Sequence, residues 1–424
     1  MEIVGILFLI LVIMLSIGLH EIGHLAPAKK FGVKVTQYMI GFGPTIWSKQ
    51  KGDTEYGVKA IPLGGYIRMI GMVPPAKDGE TAKGPFADLV NSARQQSLEE
   101  IGPEDENKVF YKLSVPKKLT VMFGGPFMNL VLAFVFFAIS FAGIGFPAAT
   151  NEVKQVVTCL PSEVDVLGNC LPGTTASPAL SAGIKDGDKI ISFDGKEITD
   201  WEALANGIRE SKEGNVEITV LRDGKELNLT AEIVLATRPS SANSEVENEP
   251  TPYLGIAPQI IMERQPISSV FDVLVNITVG TGQVLWNLPE RVGQLFGAAF
   301  LGEQRDPEGL VGIVGVTRVG GEIAAAEIPG MWRFATLLNL AGGLNMALFL
   351  FNLLPLLPLD GGHVAGAIYE GLRRSFAKLR RRPDPGPADT SKMLPFAYSV
   401  AILLIGLSML LLYVDVVNPI RLGG

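Results

Sequence analysis

Residues 3–24 read IVGILFLILVIMLSIGLHEIGH, an almost uninterrupted apolar run that ends in His20-Glu21-Ile22-Gly23-His24. On a helix, His20 and His24 share one face, where both imidazoles can hold a Zn²⁺ while Glu21 acts as general base on a metal-bound water. The apolar run is typical of a transmembrane helix, and ionisable residues at membrane depth are costly and usually functional. This stretch therefore predicts a catalytic zinc centre inside a membrane span.

Two simpler interpretations of this segment are a cleaved signal peptide and a plain membrane anchor. The small residues APA at 26–28 resemble a cleavage site, but the residues before the apolar run include Glu2 and no Lys or Arg. A plain anchor more often ends in Lys, Arg, Trp or Tyr. The zinc-site interpretation is favoured over both.

The composition is that of a membrane protein with several domains. The chain has 424 residues, of which 47% are hydrophobic, and a formal net charge of −7. No basic surface argues for nucleic acid as a partner. With only two cysteines, the chain has no cysteine cluster for a structural zinc site.

Four segments approach the length of about 20 apolar residues that spans a bilayer. They are residues 3–25, 119–146, 334–357 and 394–414. Lysines and arginines follow the first segment, precede the second and fill the interval between the third and fourth. The positive-inside rule places these intervals in the cytoplasm, so the N-terminus and residues 147–333 are predicted to lie outside.

A catalytic zinc needs a third protein ligand and an open fourth position. At 1.5 Å per residue, His20 lies about 26 Å along the first span, near the cytoplasmic leaflet. Asp360 follows the third span at similar depth, beside Pro355 and Pro358, which break helical hydrogen bonding. Asp360 is the best candidate for the third ligand, and its alternative or additional role is to cap the helix that follows. His363, nearly one turn farther on and closer to water, is the weaker candidate.

The segment after the first span predicts a β-hairpin. GFGP at 41–44 precedes short strands at 45–50 and 56–61, and GGYIR follows at 64–68. Two roles stay open: a solvated hairpin, or a free sheet edge that pairs with an extended substrate. Residues 77–107 are charged and predicted to be flexible or loosely helical, with no assigned role.

The second span begins with small residues, GGPFMN at 124–129. Small residues let helices approach closely in membranes, and a buried Asn there needs a hydrogen-bond partner. Asn129 either joins two helices or lines the catalytic cavity.

The predicted outer segment contains a compact domain. Residues 177–235 predict strand, Asp-Gly turn, helix, strand, Asp-Gly turn and strand, and AGI at 182–184 with GDKII at 187–191 resembles a PDZ domain. Cys159 and Cys170 lie in this oxidising compartment and are predicted to form a disulfide, with two free thiols as the alternative. Polar residues interrupt 270–300, so 258–333 is predicted to be an amphipathic helical region rather than a fifth span.

Together these motifs resemble the site-2 protease family of intramembrane zinc metalloproteases, most closely the bacterial members with one PDZ domain that act in regulated intramembrane proteolysis. The fold implied is a polytopic α-helical membrane protein of about four transmembrane helices, with a membrane-associated β-hairpin region and an inserted extracytoplasmic PDZ domain of α+β class. The expected divisions are the first span 1–28, hairpin region and insert 29–118, second span 119–146, PDZ domain 150–257, outer helices 258–333, third span 334–372, basic loop 373–392, fourth span 393–415 and tail 416–424.

The resemblance implies that His20, His24 and Asp360 bind one Zn²⁺ and that Glu21 is the catalytic acid/base. It also implies that Asn129 and Asn352 line the site. The implied substrates are single-span membrane proteins, such as anti-sigma factors already cut outside the membrane, or remnant signal peptides. The enzyme would lie in the cell membrane, with its N-terminus and PDZ domain outside and peptide ends as possible PDZ ligands.

Two other classes of protein compete with this interpretation. A membrane-anchored quality-control metalloprotease with a soluble catalytic site would need a third ligand within residues 29–118, where the sequence offers no convincing one. A non-enzymatic PDZ scaffold or transporter gives no reason for the zinc motif and Asp360 to lie at matching depth. The zinc content of the purified protein separates this last class from the other two.

Overall fold

The computed structural model describes residues 1–76, 86–161, 170–171, 173–237, 250–306 and 309–420. The chain forms two compact units, one from Met1–Gly143 with Pro266–Gly423 and one from Ile144–Gln265. Residues 77–85 of the charged insert lie outside the described residues.

The bounds of the regular elements, in chain order, are as follows. The helices are α1 Glu2–Lys30, α2 Ala87–Glu99, α3 Val115–Ala138, α4 Pro178–Ser181, α5 Trp201–Glu210, α6 Ser268–Trp286, α7 Leu288–Phe296, α8 Ile313–Ala325, α9 Gly330–Asn352, α10 Asp360–Leu379 and α11 Leu394–Val417. The strands are β1 Val35–Lys51, β2 Thr54–Met69, β3 Phe146–Val156, β4 Lys189–Phe193, β5 Lys196–Glu197, β6 Gly214–Arg222, β7 Lys225–Ala236, β8 Thr251–Tyr253 and β9 Ile256–Glu263.

Within the ranges that the structure describes, five helices are long and apolar enough to cross a membrane by length and composition. They are α1, α3 with the π-helical turn that extends it, α6, α9 and α11 with the short turn before it. The sequence predicts four spans and an amphipathic helical region over 258–333, and α6 of that region is the additional helix. The charged side chains between 270 and 300 lie mainly in α7, whereas Asp272 is the only charged residue of α6.

Helices α1 and α3 pack closely and run in opposite directions. The His24 ring lies against Val121 of α3, while His20, one turn earlier on α1, lies against Asn129, two turns later on α3. Close approach depends on glycine, since a Cβ on Gly23 would lie 2.2 Å from the Gly124 carbonyl oxygen.

Helix α9 runs opposite to α3 and therefore parallel to α1. The Ser140 hydroxyl, just beyond α3, donates to the Ala335 carbonyl near the start of α9, and the Phe137 ring lies against Gly342 about two turns later. The C-terminal ends of α1 and α9 consequently reach the same end of the unit. This is the end where the zinc motif and Asp360 lie.

Strands β1 and β2 form a long antiparallel hairpin, longer than the sequence predicts. It reaches from Val35↔Met69 to Lys51↔Thr54, with several register shifts. Gly41 and Gly43, at φ of 92° and 79°, bend β1 without ending it. Within β2, residues 65–68 pair with β1 on one side only, so they form a free edge among the described residues.

A buried ion pair fixes α10 against α3. Lys118 Nζ lies 2.7 Å from Glu370 Oε2, and both residues are at most 5% exposed. The Ala388 amide donates to the same Glu370 oxygen, which ties the loop before α11 to this pair. Lys118 is thus a buried, ion-paired lysine rather than a free cation at the membrane surface.

Part of the charged insert forms the ordered helix α2. The Arg94 guanidinium is buried and donates to Ser391 Oγ at 3.1 Å and to the Asp389 carboxylate. The insert is therefore helical between 87 and 99 and is anchored to the loop that precedes α11.

The second unit is built on a sheet with strand order β8-β7-β6-β4-β3-β9, to which β5 adds beside β4. Both predicted Asp-Gly turns occur: Asp194 and Gly195 have φ of 50° and 71°, and Asp223 and Gly224 have φ of 51° and 75°. Two successive positive φ values are what a two-residue hairpin turn requires. Helix α5 packs on this sheet through Leu204 and covers an apolar core.

Asp188, within the GDKII sequence, holds the turn before β4. Its carboxylate accepts two hydrogen bonds from Arg222 at 2.7 Å and one from the Lys185 amide at 2.8 Å. Burial opposes ionisation, but these donors prevail and hold the pKa of Asp188 below its usual range. This ion pair joins the turn to the end of β6.

The structure joins Cys159 to Cys170, with Cα atoms 5.9 Å apart. We expect both thiols to resist alkylation until a reductant is added, and the intact mass to rise by two hydrogens on reduction. The short loop should stabilise the second unit by about 3 kcal/mol. Alkylation of both cysteines in unreduced protein would contradict the pairing and the oxidising location.

Candidate metal centre

Three potential ligand atoms from two distant parts of the chain meet where the C-terminal part of α1 lies against the first turn of α10. His20 Nε2 and His24 Nε2 are 3.2 Å apart, and Asp360 Oδ2 lies 3.1 Å from the first and 3.3 Å from the second. Among the described residues this is the one group of three or more potential ligands that could hold a metal ion.

The spacing suits zinc. Two ligands at 2.0–2.1 Å from a tetrahedral zinc ion are separated by about 3.3 Å. The three measured separations lie close to this value, and two imidazoles with one carboxylate form a ligand set found in catalytic zinc sites. The residues present therefore fit one zinc ion with a fourth position left for water or substrate.

The His24 ring is held in the orientation that a ligand needs. Its Nδ1 lies 2.8 Å from the Val121 carbonyl oxygen, which can only accept, so Nδ1 carries the proton. The Nε2 lone pair is then free to face the other two ligand atoms. Backbone carbonyls commonly fix metal-binding histidines in this way.

Asn129 holds the ring of His20. Its amide lies 3.1 Å from His20 Nδ1, and Asn129 is 1% exposed. Nitrogen and oxygen of an amide are exchanged by a flip, and a His20 that offers Nε2 to a metal carries its proton on Nδ1. The Asn129 oxygen then accepts from His20, and the amide nitrogen takes the buried position where Oδ1 has no partner.

Asp360 is the first residue of α10 rather than its N-cap. The cap position is Leu359, which makes no side-chain capping bond, so the sequence-based expectation of an Asp360 cap is wrong. Gly361 allows the preceding loop to fold back on the first turn, since a Cβ there would lie 2.2 Å from the Leu354 carbonyl oxygen. This close return of the chain directs the Asp360 carboxylate towards the histidines.

Gly125 is a site residue that the sequence analysis did not single out as such. A Cβ at this position would lie 2.2 Å from His24 Nε2 and 2.7 Å from His20 Nε2. Any side chain here would occupy the space of the ligand atoms. A GG pair one turn before the buried Asn129 is the only sequence signal that points to it.

Glu21, the middle functional residue of the zinc motif, lies beside the free edge of β2. It is 8% exposed, and its carboxylate lies beside Ile67 of the edge strand. A Cβ on Gly65 would lie 3.0 Å from Glu21 Cγ, so this edge strand passes directly over the catalytic candidate. The long hairpin therefore brings a strand edge to the metal centre.

The two remaining candidates do not belong to the group of clustered ligand atoms. Asn352 is the last residue of α9, separated from Asp360 by a loop, and its side chain makes no hydrogen bond within the described residues. His363 lines a small cavity with Lys118 and Glu370 and does not belong to the ligand group. The structure thus brings together five of the predicted site residues, His20, Glu21, His24, Asn129 and Asp360.

Comparisons with known proteins extend over nearly the whole chain. Residues 8–382 match peptidase family M50. The chain is 34% identical over 434 residues to the zinc metalloprotease Rip1 of Mycobacterium tuberculosis strain H37Rv, covering 100% of this chain and 99% of that protein. It is 32% identical over 435 residues to Rip1 of Mycolicibacterium smegmatis, covering 99% and 98% of the two chains, and 26% identical over 377 residues to the metalloprotease MmpA of Caulobacter vibrioides, covering 86% of each.

Proposed function

Because this chain belongs to peptidase family M50, the site-2 proteases, and is a zinc metalloendopeptidase of the membrane, we propose that it cleaves transmembrane segments of single-span proteins. The substrates are anti-sigma factors or remnant signal peptides that a first protease has already cut outside the membrane. Its physiological role is then the transmission of a signal across the membrane.

The observation that carries this proposal is the position of the ligand atoms. His20, His24 and Asp360 place one ligand atom each within 4.8 Å of one another. Both elements that deliver them, α1 and α9 with its following loop, are apolar helices long enough to cross a bilayer. A metal held there acts on peptide bonds at membrane depth.

The chemistry follows from the residues around this point. His20, His24 and Asp360 would hold the zinc ion, which when bound would act as a Lewis acid on water and on the scissile carbonyl. Glu21 takes a proton from the attacking water and returns it to the leaving amine. Asn129 orients His20, and its free amide hydrogens can stabilise the oxyanion that forms on the substrate.

The edge of β2 provides a way to hold the substrate. A transmembrane helix must unwind before a protease can reach its peptide bonds, and the freed backbone groups then need partners. Residues 65–68 present an unpaired strand edge beside Glu21, where an extended segment can add as a further strand. We favour this role over a solvated hairpin.

The directions of the helices fit a chain that crosses the membrane four times better than one that crosses it five times. Since α3 and α9 are antiparallel, residues 144–330 leave and return at the same end of the helical unit. If α6 crossed, a second crossing would be needed before α9, and α7 and α8 have only 9 and 13 residues. We infer that α6 enters or lies along the outer leaflet without crossing, which keeps the N-terminus and the second unit outside.

The alternative function, a membrane-anchored quality-control protease with a soluble site, requires a third ligand in residues 29–118. In the described part of that segment no potential ligand joins His20 and His24. The carboxylate comes instead from beyond α9, which favours catalysis within the membrane.

Mapping the cleavage position tests this function. We expect the purified enzyme in liposomes to cut a model single-span protein inside its apolar segment, to stop when zinc is chelated and to recover when zinc is returned. Mass spectrometry of both fragments locates the cut. Cleavage confined to residues outside the apolar segment would instead support the soluble-site alternative.

We propose that the second unit is a PDZ domain that restricts which substrates reach the site. It contains no histidine, and the three clustered ligand residues all belong to the other unit. A groove of about 430 Å³ lies between α5 and the start of β9, lined by residues such as Trp201, Ile208 and Ile256. Because PDZ domains capture peptide ends in such a groove, recruitment of substrate is the rival role.

Excising the domain distinguishes the two roles. Phe146–Ala149 of β3 pairs with Ile260–Glu263 of β9, so residues 150–259 can be replaced by a short Gly-Ser turn that keeps this stem. We expect the shortened enzyme to cut a substrate that retains its full ectodomain and still to cut the trimmed form. Loss of cleavage of the trimmed form, in a protein that still binds zinc, would show recruitment instead.

A further inference from the structure

A further cavity lies along the surface of the α1–α3 helix pair. Its volume is about 550 Å³, within the range of small-molecule sites. It is lined by Ile22 and Ala26 of α1, Phe123 and Phe127 of α3, and Val364 of α10. These residues belong to the inner halves of the spans, so we call this cavity the inner groove.

The lining of the inner groove is almost entirely apolar and leaves no unsatisfied polar side chain for an occupant to bind. Its one polar side chain is Thr120, whose hydroxyl already donates to the Pro116 carbonyl oxygen. Ile22, Phe123 and Phe127 are 39%, 38% and 49% exposed, so apolar surface faces outward along the whole groove. An acyl chain or a methylene-rich tail fits this lining.

Two lysines stand at the cytoplasmic end of the groove. Lys30 follows Ala26 by one helical turn, and Lys117 precedes Thr120 by nearly one turn, so both lie on the groove-lining faces of α1 and α3. Lys117 Nζ lies 5.5 Å from the Phe31 ring centroid, which brings the cation across to α1. Both lysines are exposed, and neither forms an ion pair with the acidic groups in the described ranges.

An apolar groove that ends in two unpaired cations is complementary to a lipid with an anionic headgroup. Basic pockets between transmembrane helices on the cytoplasmic side bind such headgroups. We propose that the inner groove binds one anionic phospholipid of the cytoplasmic leaflet. The proposal rests on the membrane topology of the proposed function but not on its catalytic chemistry.

A lipid in the inner groove would lie next to the helix contact that positions the candidate zinc ligands. The floor of the groove is formed by the backbone contact of Gly23 with Gly124, whose chain neighbours His24 and Gly125 face the metal centre. A lipid in the groove packs against this contact from outside. It therefore supports the helix pair that sets the separation of the zinc ligands.

Lipid binding by the full-length chain tests the proposal without any need for activity. Delipidated protein is titrated with phosphatidylglycerol or with phosphatidylcholine of identical tails, and native mass spectrometry measures the fraction of protein that has bound each lipid. We expect one phosphatidylglycerol to bind tightly, and the double variant Lys30→Ala/Lys117→Ala to bind it about 30-fold more weakly. Ala26→Trp, which fills the apolar part and keeps both charges, should lose binding of either lipid.

Lys49→Ala/Lys51→Ala is the matched control, because it removes the same charge from the hairpin. It should bind phosphatidylglycerol as the wild type does, and zinc content identifies variants that have folded. Equal affinity of the wild type for both lipids overturns the proposal. So does lysine-dependent binding that survives Ala26→Trp, equal weakening in the control, or a single-span peptide that occupies the groove in place of lipid.

Discussion

Replacement of Glu21 by Gln should leave zinc bound and reduce turnover by about 10²- to 10⁴-fold, the usual contribution of a general acid/base. The amide has nearly the shape of the carboxylate, so the packing against Gly65 and β2 is kept. It cannot accept a proton from the attacking water. Zinc content and the cleavage rate of a single-span substrate in liposomes, measured on the same preparation, check this expectation.

Zinc binding by the Glu21→Gln variant is the control for this experiment. Glu21 is not one of the three clustered ligand residues, so the Glu21→Gln enzyme should titrate with zinc like the wild type. If the variant turns over near the wild-type rate, another group takes the proton and the mechanism proposed here is wrong. If it loses zinc, its role is in metal binding instead.

Asp360→Ala should abolish tight zinc binding and activity together. It removes one of three protein ligands and leaves His20 and His24 without the carboxylate that lies 3.1 and 3.3 Å from them. The loss should exceed the roughly 10- to 100-fold decrease in zinc affinity caused by removing a hydrogen-bond partner of a ligand. Asn129→Ala, which removes such a partner of His20, should fall within that smaller range.

His363→Ala is the matched control for Asp360→Ala. Both residues lie in the first turn of α10, yet only Asp360 belongs to the ligand group. Zinc affinity measured by competition with a chelator should be nearly unchanged in His363→Ala. Loss of zinc in this variant alone would assign the third ligand to His363.

The features predicted from sequence are those encoded within a single element. The apolar run of α1 and the spacing of His20 and His24 identify a membrane span with two ligands on one face, because helical periodicity depends only on neighbouring residues. The Asp-Gly pairs at 194 and 223 predict their turns for the same reason, since the positive φ values are a local preference.

Element lengths are harder to predict from a window of sequence. The interval 270–300 contains both the apolar α6 and the charged α7, so its average composition does not reveal that α6 alone is long and apolar enough to span. The sequence predicts short strands in the hairpin region, whereas in the structure Gly41 and Gly43 bend a continuous strand.

By itself, then, the sequence determined the class of metal, two of its candidate ligands, the candidate base and the membrane setting. Only the tertiary structure decided that Asp360 rather than His363 meets the histidines, that Asn129 holds His20, and that Gly125 leaves room for both rings. These are contacts between helices far apart in sequence. They depend on the depth and separation at which α1, α3 and α10 pack, which the backbone contact of Gly23 with Gly124 and the fold of the loop at Gly361 set.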